Sequence, residues 1–236
     1  MSLRRPSIVP LARAHRTVPQ IYDDLREQIV SVALKPGADL SESRLADTYG
    51  VSRTPVREAF KRLVEDGFLQ VVPQVGTFVA AIDLQTVRDN HFVRESLECR
   101  IVELAAQRIQ PAQKAELDRN LAQQARATAG RDPVAFFRAD EAMHQLLAQI
   151  AGHASAWQVI HAAKGQLDRV RRLSLDDHDR AARRMLEHRA IVDCVERGDP
   201  AGAVAAMRAH LDSIFDAIDH IAAEHAHYFV GLQGNA

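Results

Sequence analysis

The spacing of apolar residues predicts a helix over residues 18–34, where they recur every three or four positions. The positions concerned are Ile21, Leu25, Ile29 and Val32. Lys35-Pro36-Gly37 would end this helix. Two shorter helices follow, joined at the tight turn Tyr49-Gly50-Val51, and a glycine at Gly67 closes the second.

A hairpin is predicted after these three helices. Residues 68–72 and 77–80 are rich in β-forming side chains, and Pro73-Gln74-Val75-Gly76 lies between them. Three helices followed by a hairpin make a winged helix-turn-helix, which we place at residues 17–82. The preceding residues, 1–16, are basic and aperiodic, and they predict a flexible arm that is either a disordered leader or in contact with DNA.

The polar positions of the third helix favour contact with DNA. Ser52 is a candidate N-cap through its hydroxyl, and Pro55 suits the first turn because that turn does not need its missing N–H. Arg53 and Arg57 are four residues apart, so both project from one face near the helix start. A helix with these features presents its first turns to phosphates and base edges in the major groove. The sequence therefore predicts a DNA-binding protein.

Helical periodicity continues through most of the remaining chain, with short breaks at glycine and proline. The predicted helices cover residues 84–109, 112–129, 132–150, 154–174, 177–197 and 200–225. Short connections of this kind predict an antiparallel bundle of about six helices. The predicted fold is therefore mostly α: an N-terminal winged helix-turn-helix and a C-terminal all-α bundle over residues 83–228.

Charge and composition change this picture little. The net charge is −1, with 11 basic against 9 acidic residues in 1–82 and 19 against 22 in the remainder, which supports DNA binding only weakly. The two cysteines, Cys99 and Cys194, fall in apolar helical patterns and are expected to be free thiols. The sequence contains neither a membrane-spanning run nor a signal-peptide core, so we expect a cytoplasmic protein without a membrane partner.

Four residues of the bundle are candidate metal ligands. Asp140 and His144 are four apart on one helix face, and His188 and His210 fall within apolar patterns of two later helices. Three imidazoles and one carboxylate suit Zn²⁺, Ni²⁺ or Mn²⁺, and helix bundles build such sites in their interiors. Buried histidines are also common as hydrogen-bonded core residues, so the residues alone leave both interpretations open.

Two sets of residues resemble the motifs of a known family. The first half contains Pro36-Gly37…Leu40-Ser41-Glu42…Leu45-Ala46…Val51-Ser52-Arg53-Thr54-Pro55-Val56-Arg57-Glu58-Ala59, then Gly67, Pro73 and Gly76. The second half contains Arg94…Glu98, Asp140-x-x-x-His144, Glu187-His188 and Met207-Arg208-Ala209-His210-Leu211. These runs resemble the GntR family of bacterial transcription regulators, in the branch with an all-helical effector domain called FCD. With about six helices, the bundle is similar to the shorter, vanillate-regulator type of that domain.

The resemblance implies a homodimer that binds a palindromic operator and responds to a small metabolite. It implies DNA contacts by Arg44, Arg53 and Arg57, supported by Thr54 and Gly76. An arginine can bind guanine bidentately, whereas a threonine hydroxyl more often contacts phosphate. Family wings often carry a basic residue at the position of Val75, so the wing of this chain should depend on Gln74 and backbone groups instead.

The resemblance also implies that Asp140, His144, His188 and His210 bind a divalent metal ion. An octahedral ion held by four protein groups has open positions that a carboxylate metabolite can fill. Arg94 could then neutralise that carboxylate, although it could equally form a structural salt bridge with Glu98. The basic cluster Arg169, Arg171 and Arg172 could face the same cavity or the solvent. His91 matches no ligand position of the family pattern.

Two alternatives to a metal-dependent sensor remain open from the sequence. One is a purely structural metal in the same regulator. The other is a metal-dependent enzyme, since three histidines and an aspartate with open positions also describe a catalytic centre. Only Glu141 or Glu187 could serve as a general base there, and a DNA-binding domain would have no role in such an enzyme.

Overall fold

The computed structural model describes residues 16–174 and 178–232, without the side chains of 178 and 179. All but the last residue of the expected arm, 1–16, lies outside the described residues. The described chain forms two compact units, one ending at Leu84 and resuming at His225, and the other spanning Gln85–Glu224. Both are built mainly from helices, as predicted.

The first unit begins with helix α1, Val18–Val30, which is four residues shorter than predicted. Ser31 is its C-cap, and Val32 has a φ of 61°, a left-handed conformation that ends the helical backbone. Leu34, in the turn after the helix, is nevertheless buried. The apolar pattern therefore extends past the helix, because this turn also contributes to the core.

Helices α2, Glu42–Tyr49, and α3, Arg53–Glu65, form the expected helix-turn-helix. Gly50 makes the turn with a φ of 66°, where a glycine avoids the steric cost of a side chain. The expected cap at Ser52 is wrong in one respect: Ser52 occupies the N-cap position, but its hydroxyl caps none of the described residues. The third residue of α3 is Pro55, which has no N–H to donate to that hydroxyl.

The predicted hairpin is present and belongs to a three-stranded antiparallel sheet. Its strands are β1, Asp39–Leu40, β2, Leu69–Val72, and β3, Gly76–Val79, in the order β1-β3-β2. Leu69 pairs with Val79, and Gln74 has a φ of 64° in the connecting turn. Strand β1 was not predicted, because two residues are too short to show an alternating pattern.

A second, parallel pairing joins the two ends of this unit. Strand β4, Ile82–Asp83, lies beside β5, Phe229–Val230, which follows a short 3-10 turn at Ala226–Tyr228. Strand β5 lies beyond the last predicted helix, 200–225, and was not predicted. Ile82 and Phe229 are both buried, so the pairing is part of an apolar contact as well as a backbone ladder.

The second unit contains seven helices among its described residues, one more than predicted. They are α4, Leu84–Arg108; α5, Pro111–Ala129; α6, Pro133–Ile150; α7, Ala154–Ala163; α8, Gly165–Ser174; α9, His178–Glu196; and α10, Pro200–His225.

The predicted helix 154–174 is divided at Lys164. This residue ends α7, and its ammonium group is buried against Glu141 and Asp168. A buried ammonium group needs anionic partners, and both of these carboxylates contact it at the point where the helix is divided. Neither partner is evident from the helical pattern.

The core of the second unit is a continuous apolar cluster from α4, α5, α6, α7, α9 and α10, including Val102, Leu121, Met143, Ile191 and Leu211. The candidate ligands Asp140 and His144 lie on α6 beside Met143, so the core holds them inside the bundle. Within the residues that the structure describes, no helix is both long and apolar enough to cross a membrane.

Candidate DNA-binding surface and metal centre

The two arginines at the start of α3 are exposed, as contact with DNA requires. The side chains of Arg53 and Arg57 are 62 % and 54 % exposed. Both reach Glu42 of α2: Arg57 Nη2 lies 3.1 Å and Arg53 Nη2 lies 3.4 Å from Glu42 Oε2. These contacts lower the pKa of Glu42, chiefly through its hydrogen bond with Arg57. The carboxylate therefore holds both guanidinium groups on one side of the helix.

The other three predicted DNA contacts lie at the surface of the same unit. Arg44 on α2 donates to Asp39 of β1 over 2.8 Å and is about half exposed. Thr54 is exposed in the first turn of α3, and Gly76 begins β3 after the wing turn. Val75, in the position that is often basic in the family, is 71 % exposed.

The four predicted metal ligands come together inside the second unit. Asp140 and His144 lie on α6, His188 on α9 and His210 on α10. Each offers one ligand atom, and these four atoms all lie within 4.8 Å of one another. All four residues are at most 2 % exposed.

Each histidine ring is held from outside through its Nδ1 atom. His144 Nδ1 lies 2.5 Å from Glu98 Oε2, as an ion-pair contact rather than a hydrogen bond of normal geometry. His188 Nδ1 lies 2.6 Å from Gln124 Oε1, and His210 Nδ1 lies 2.9 Å from Glu187 Oε2. Outer partners of this kind orient imidazoles for metal binding through the opposite nitrogen, Nε2.

The protonation states of this cluster suit a cation. Burial lowers the pKa of His188 to about 4, against the opposing effect of Asp140. Burial and the neighbouring His188 also hold the pKa of His210 well below its usual range. Burial alone would raise the pKa of Asp140, but Arg171 and His188 outweigh it and keep the pKa well below normal. Neutral imidazoles and an ionised carboxylate are the forms that bind a metal.

Three ligand atoms of this centre have no hydrogen bond to any residue that the structure describes: Asp140 Oδ1, His144 Nε2 and His188 Nε2. His188 Nε2 does lie 3.1 Å from Asp140 Oδ1, but not in a normal hydrogen-bond geometry. Unsatisfied polar atoms in a core are costly, and a metal ion would satisfy all of them at once. The residues therefore fit a divalent transition ion.

Arg94, the candidate effector ligand, forms the salt bridge that was its alternative role. Its Nε donates to Glu98 Oε1 over 2.6 Å, and both side chains are buried. Burial would raise the pKa of Glu98, but Arg94 and His144 lower it to about 2. The Nη2 atom of Arg94 makes no hydrogen bond to any residue that the structure describes, so the guanidinium keeps one donor for another group.

The basic cluster of α8 faces the protein interior. Arg169 and Arg171 are fully buried, and Arg171 forms ion pairs with Asp140, Glu141 and Asp168. Arg172 lies over the ring of Phe137. The pairing of Arg171 with a candidate metal ligand was not predicted, because nothing in the sequence indicates that α8 packs against α6.

A cavity of about 310 Å³ opens near this centre, between the end of α8, α9 and α10. Arg180, Arg183 and Arg184 line it together with Glu187 and Ser213. Glu187 both lines the cavity and contacts the ring of His210, which connects the cavity to the metal centre. Its volume is at the lower end of the range for small-molecule sites.

Sequence reasoning missed the outer partners of the histidines. Both Glu98 and Glu187 lie within the family motifs. Glu98 was considered only as a salt-bridge partner of Arg94, and Glu187 only as a possible general base. Gln124 gives no signal in the sequence, because α5 shows only a helical pattern with scattered polar residues. Its contact with His188 depends on how α5 packs against α9.

Comparison with known proteins gives the family. A family model described as bacterial regulatory proteins, gntR family, matches residues 17–79, and an FCD domain model matches residues 90–213. An uncharacterised HTH-type transcriptional regulator in an unstable DNA locus of Streptomyces ambofaciens is 42 % identical over 209 residues, 89 % of this chain and 88 % of that protein. The HTH-type transcriptional repressor RspR of Escherichia coli K12 is 37 % identical over 210 residues, covering 89 % and 92 %.

Solved structures show a similar fold. The structure of McbR/YncC from Escherichia coli matches with a TM-score of 0.71 and 21 % identity, covering 86 % of this chain and 97 % of that one. A putative GntR regulator from Rhodococcus sp. RHA1 matches with the same TM-score and 22 % identity. These families and relatives are transcriptional regulators, which excludes the enzyme alternative. The chain therefore belongs to the GntR family and is a transcriptional regulator with a DNA-binding helix-turn-helix domain and an FCD domain.

Proposed function

We propose that this regulator binds a palindromic operator as a homodimer in the cytoplasm and that a small carboxylate metabolite controls its binding. Arg53 and Arg57 contact base edges or phosphates, with Arg44, Thr54 and Gly76 in support. The metabolite binds at a metal centre formed by Asp140, His144, His188 and His210. The observation that carries the proposal is the buried cluster of ligand atoms, three of which have no hydrogen bond in the described structure.

Exposure of the α3 arginines supports the DNA contacts. Both guanidinium groups lie beside the start of α3, where they pair with Glu42, and they would exchange this carboxylate for base edges or phosphates of the DNA. Two arginines at the start of one helix can reach adjacent positions of the major groove, where each bidentate contact with guanine adds ~1–3 kcal/mol of discrimination.

The surroundings of the metal centre support an anionic effector. The bound ion would supply a Lewis-acidic position for a carboxylate. Arg94 would offer Nη2, and the arginines of the nearby cavity would add positive charge. Effector binding would favour one arrangement of two DNA-binding units over another, with a coupling of ~1–3 kcal/mol typical of allosteric proteins.

The complete burial of the four ligands favours a second candidate, a purely structural metal. Such an ion would lock α6, α9 and α10 together, as structural zinc sites do. The effector would then occupy the arginine-lined cavity without contacting the ion. Both candidates assign the same metal ligands.

The DNA part of the proposal is tested by replacing Arg53 with alanine. An operator is first selected from random duplexes, and binding is then followed by fluorescence anisotropy at fixed salt. We expect Arg53→Ala to abolish specific binding while light scattering still gives a dimer. Lys61→Ala is the matched control, since Lys61 is equally exposed on α3 but pairs with Glu58 farther along the helix. Undiminished binding by Arg53→Ala would refute the contact assignment.

The metal part is tested by elemental analysis and native mass spectrometry of the purified protein. We expect one divalent ion at this centre and a co-purified or added carboxylate that displaces the operator. His188→Gln should lose the ion. If the fold and thermal stability survive but the effector response is lost, the metal is sensory; a large loss of thermal stability would make it structural. A wild-type protein that binds neither ion nor carboxylate contradicts the proposal.

A further inference from the structure

A second group of potential ligands lies on α4 and α10 and contains none of the four residues of the first centre. It consists of His91 and Glu95, one helical turn apart on α4, and Asp212 on α10. Their ligand atoms all lie within 4.8 Å of one another. The group shares no residue with the first centre and matches no position of the family motifs described above.

The geometry of His91 is unusual for a core histidine. Its side chain is only 10 % exposed, and its ring packs against Phe215 with the centroids 4.8 Å apart. Nε2 lies 3.0 Å from Asp212 Oδ1, yet this buried nitrogen makes no normal hydrogen bond with any described residue. An unsatisfied nitrogen in the interior has a free-energy cost, which a bound group would remove.

The separation of these two atoms also suits a shared ion. Metal–ligand distances of about 2.0–2.2 Å place two ligand atoms of a tetrahedral site roughly 3.4 Å apart. The observed 3.0 Å between Nε2 and Oδ1 is close to this value. Glu95 would complete a set of three ligands, and its carboxylate is partly exposed.

We propose that His91, Glu95 and Asp212 bind a divalent transition ion at a second, surface-accessible site. One imidazole and two carboxylates are ligands that Zn²⁺ accepts, and water would complete the coordination. Asp212 is exposed and also lines the arginine-lined cavity described above, so the ion can enter from solvent, but the arginines there oppose a cation. The site is independent of the buried centre proposed above and would remain if that centre were shown to bind no metal.

Arg208 limits the affinity of this second site. Its Nε donates to Glu95 Oε1 over 2.8 Å, so a guanidinium already neutralises one of the three ligands. An incoming cation must share that carboxylate with Arg208 or displace it. Removal of the arginine charge should therefore strengthen metal binding, which a purely structural role for Glu95 would not predict.

The test is a calorimetric titration of the metal-depleted protein with Zn²⁺. Elemental analysis after desalting then gives the number of ions retained per chain. We expect wild-type protein to bind two ions per chain. Asp212→Asn and His91→Gln should each weaken the second event at least about tenfold, since even outer partners of metal ligands account for losses of this size. Asp219→Asn is the matched control, because Asp219 is also exposed on α10 but lies outside the group.

Two further variants make the result unambiguous. His188→Gln should remove the buried site and leave the second event unchanged. Arg208→Gln should tighten the second event about two- to fivefold, the range expected when an exposed charge pair is removed. A wild-type protein with a single Zn²⁺ event that His188→Gln abolishes would overturn the proposal, as would equal Zn²⁺ affinities in wild type, Asp212→Asn and Arg208→Gln.

Discussion

Glu42 has an unexpected position for a residue on a DNA-binding surface. It accepts hydrogen bonds from both arginines that begin α3, and its side chain is only 25 % exposed. A carboxylate there repels phosphate while it orders the guanidinium groups. If the arginines contact DNA as proposed, Glu42 would weaken binding to any duplex and would favour sites where the arginines gain enough from base edges to leave it.

Replacement of Glu42 by glutamine should increase affinity for DNA of random sequence. The change removes one negative charge and releases Arg53 and Arg57 from an ion pair. Because exposed ion pairs are worth ~0.2–1 kcal/mol, we expect binding about two- to fivefold tighter and less selective. Anisotropy titrations with operator and scrambled duplexes at fixed salt measure both effects.

Glu65→Gln is the control for this prediction, because Glu65 is exposed at the opposite end of α3. It changes the net charge equally but leaves the arginine pairs intact. Equal effects of the two substitutions would mean that only overall charge matters and would contradict a specific role for Glu42.

At the scale of single residues, the sequence indicates the members of the buried Asp/His cluster better than their surroundings. Asp140 and His144 have a recognisable spacing on α6, and the family pattern adds His188 and His210. The positions of Gln124 and Arg171 relative to these ligands depend on how α5 and α8 pack against α6 and α9. Such packing depends on many weak contacts, which no local spacing records.

Among the secondary structure elements, long helices were predicted well and short elements were not. The bounds of α5, α6 and α10 agree with the apolar pattern to within one or two residues. Strands β1 and β5 have two residues each and depend on partners elsewhere in the chain. Strand β5 in particular pairs with β4, and the whole second unit lies between them in the sequence, so local sequence gives no indication of the pairing.

The contribution of β5 can be measured with Phe229→Ala. Phe229 is 7 % exposed in the first unit, and truncation of a buried phenylalanine typically costs about 3–5 kcal/mol. We therefore expect the urea concentration at half-unfolding of this unit to fall. Circular dichroism measures the unfolding, and the loss of operator binding is a second measure of it.

Val230→Ala provides the comparison, because Val230 is the other residue of β5 and is half exposed. Its substitution should change the free energy of unfolding by less than about 0.5 kcal/mol. Similar midpoints for Phe229→Ala and wild type would show that the strand adds nothing to stability.

For the molecule as a whole, the buried histidines make stability depend on pH when metal is absent. The pKa of His188 is about 4 in the folded state, and that of His210 is well below normal, against about 6.5 in an unfolded chain. The folded state therefore binds fewer protons than the unfolded state below about pH 6.5. Protonation then favours unfolding, so stability falls as the pH decreases from about 6.5 towards 4.

This pH dependence should be visible as a falling urea midpoint between pH 7.5 and pH 5 in protein treated with a chelator. Carboxylates with lowered pKa values, such as Glu98, affect stability nearer pH 4, whereas Glu187, whose pKa burial raises, opposes the effect of the histidines on acidification. His188→Gln should reduce the slope, since it removes one of the groups involved. A midpoint that stays constant or rises on acidification would exclude neutral buried imidazoles.

The pairing of β4 with β5 also has a consequence for protein synthesis. Ile82 leaves the ribosome long before Phe229 has been translated, so the nascent DNA-binding unit carries an unpaired strand edge until β5 has been synthesised. A message truncated before the codon of Phe229 yields a polypeptide with the whole of α3 but without this strand. Such incomplete products would leave the edge of β4 unpaired and the side chain of Ile82 without its partner Phe229, which would favour their proteolysis or aggregation.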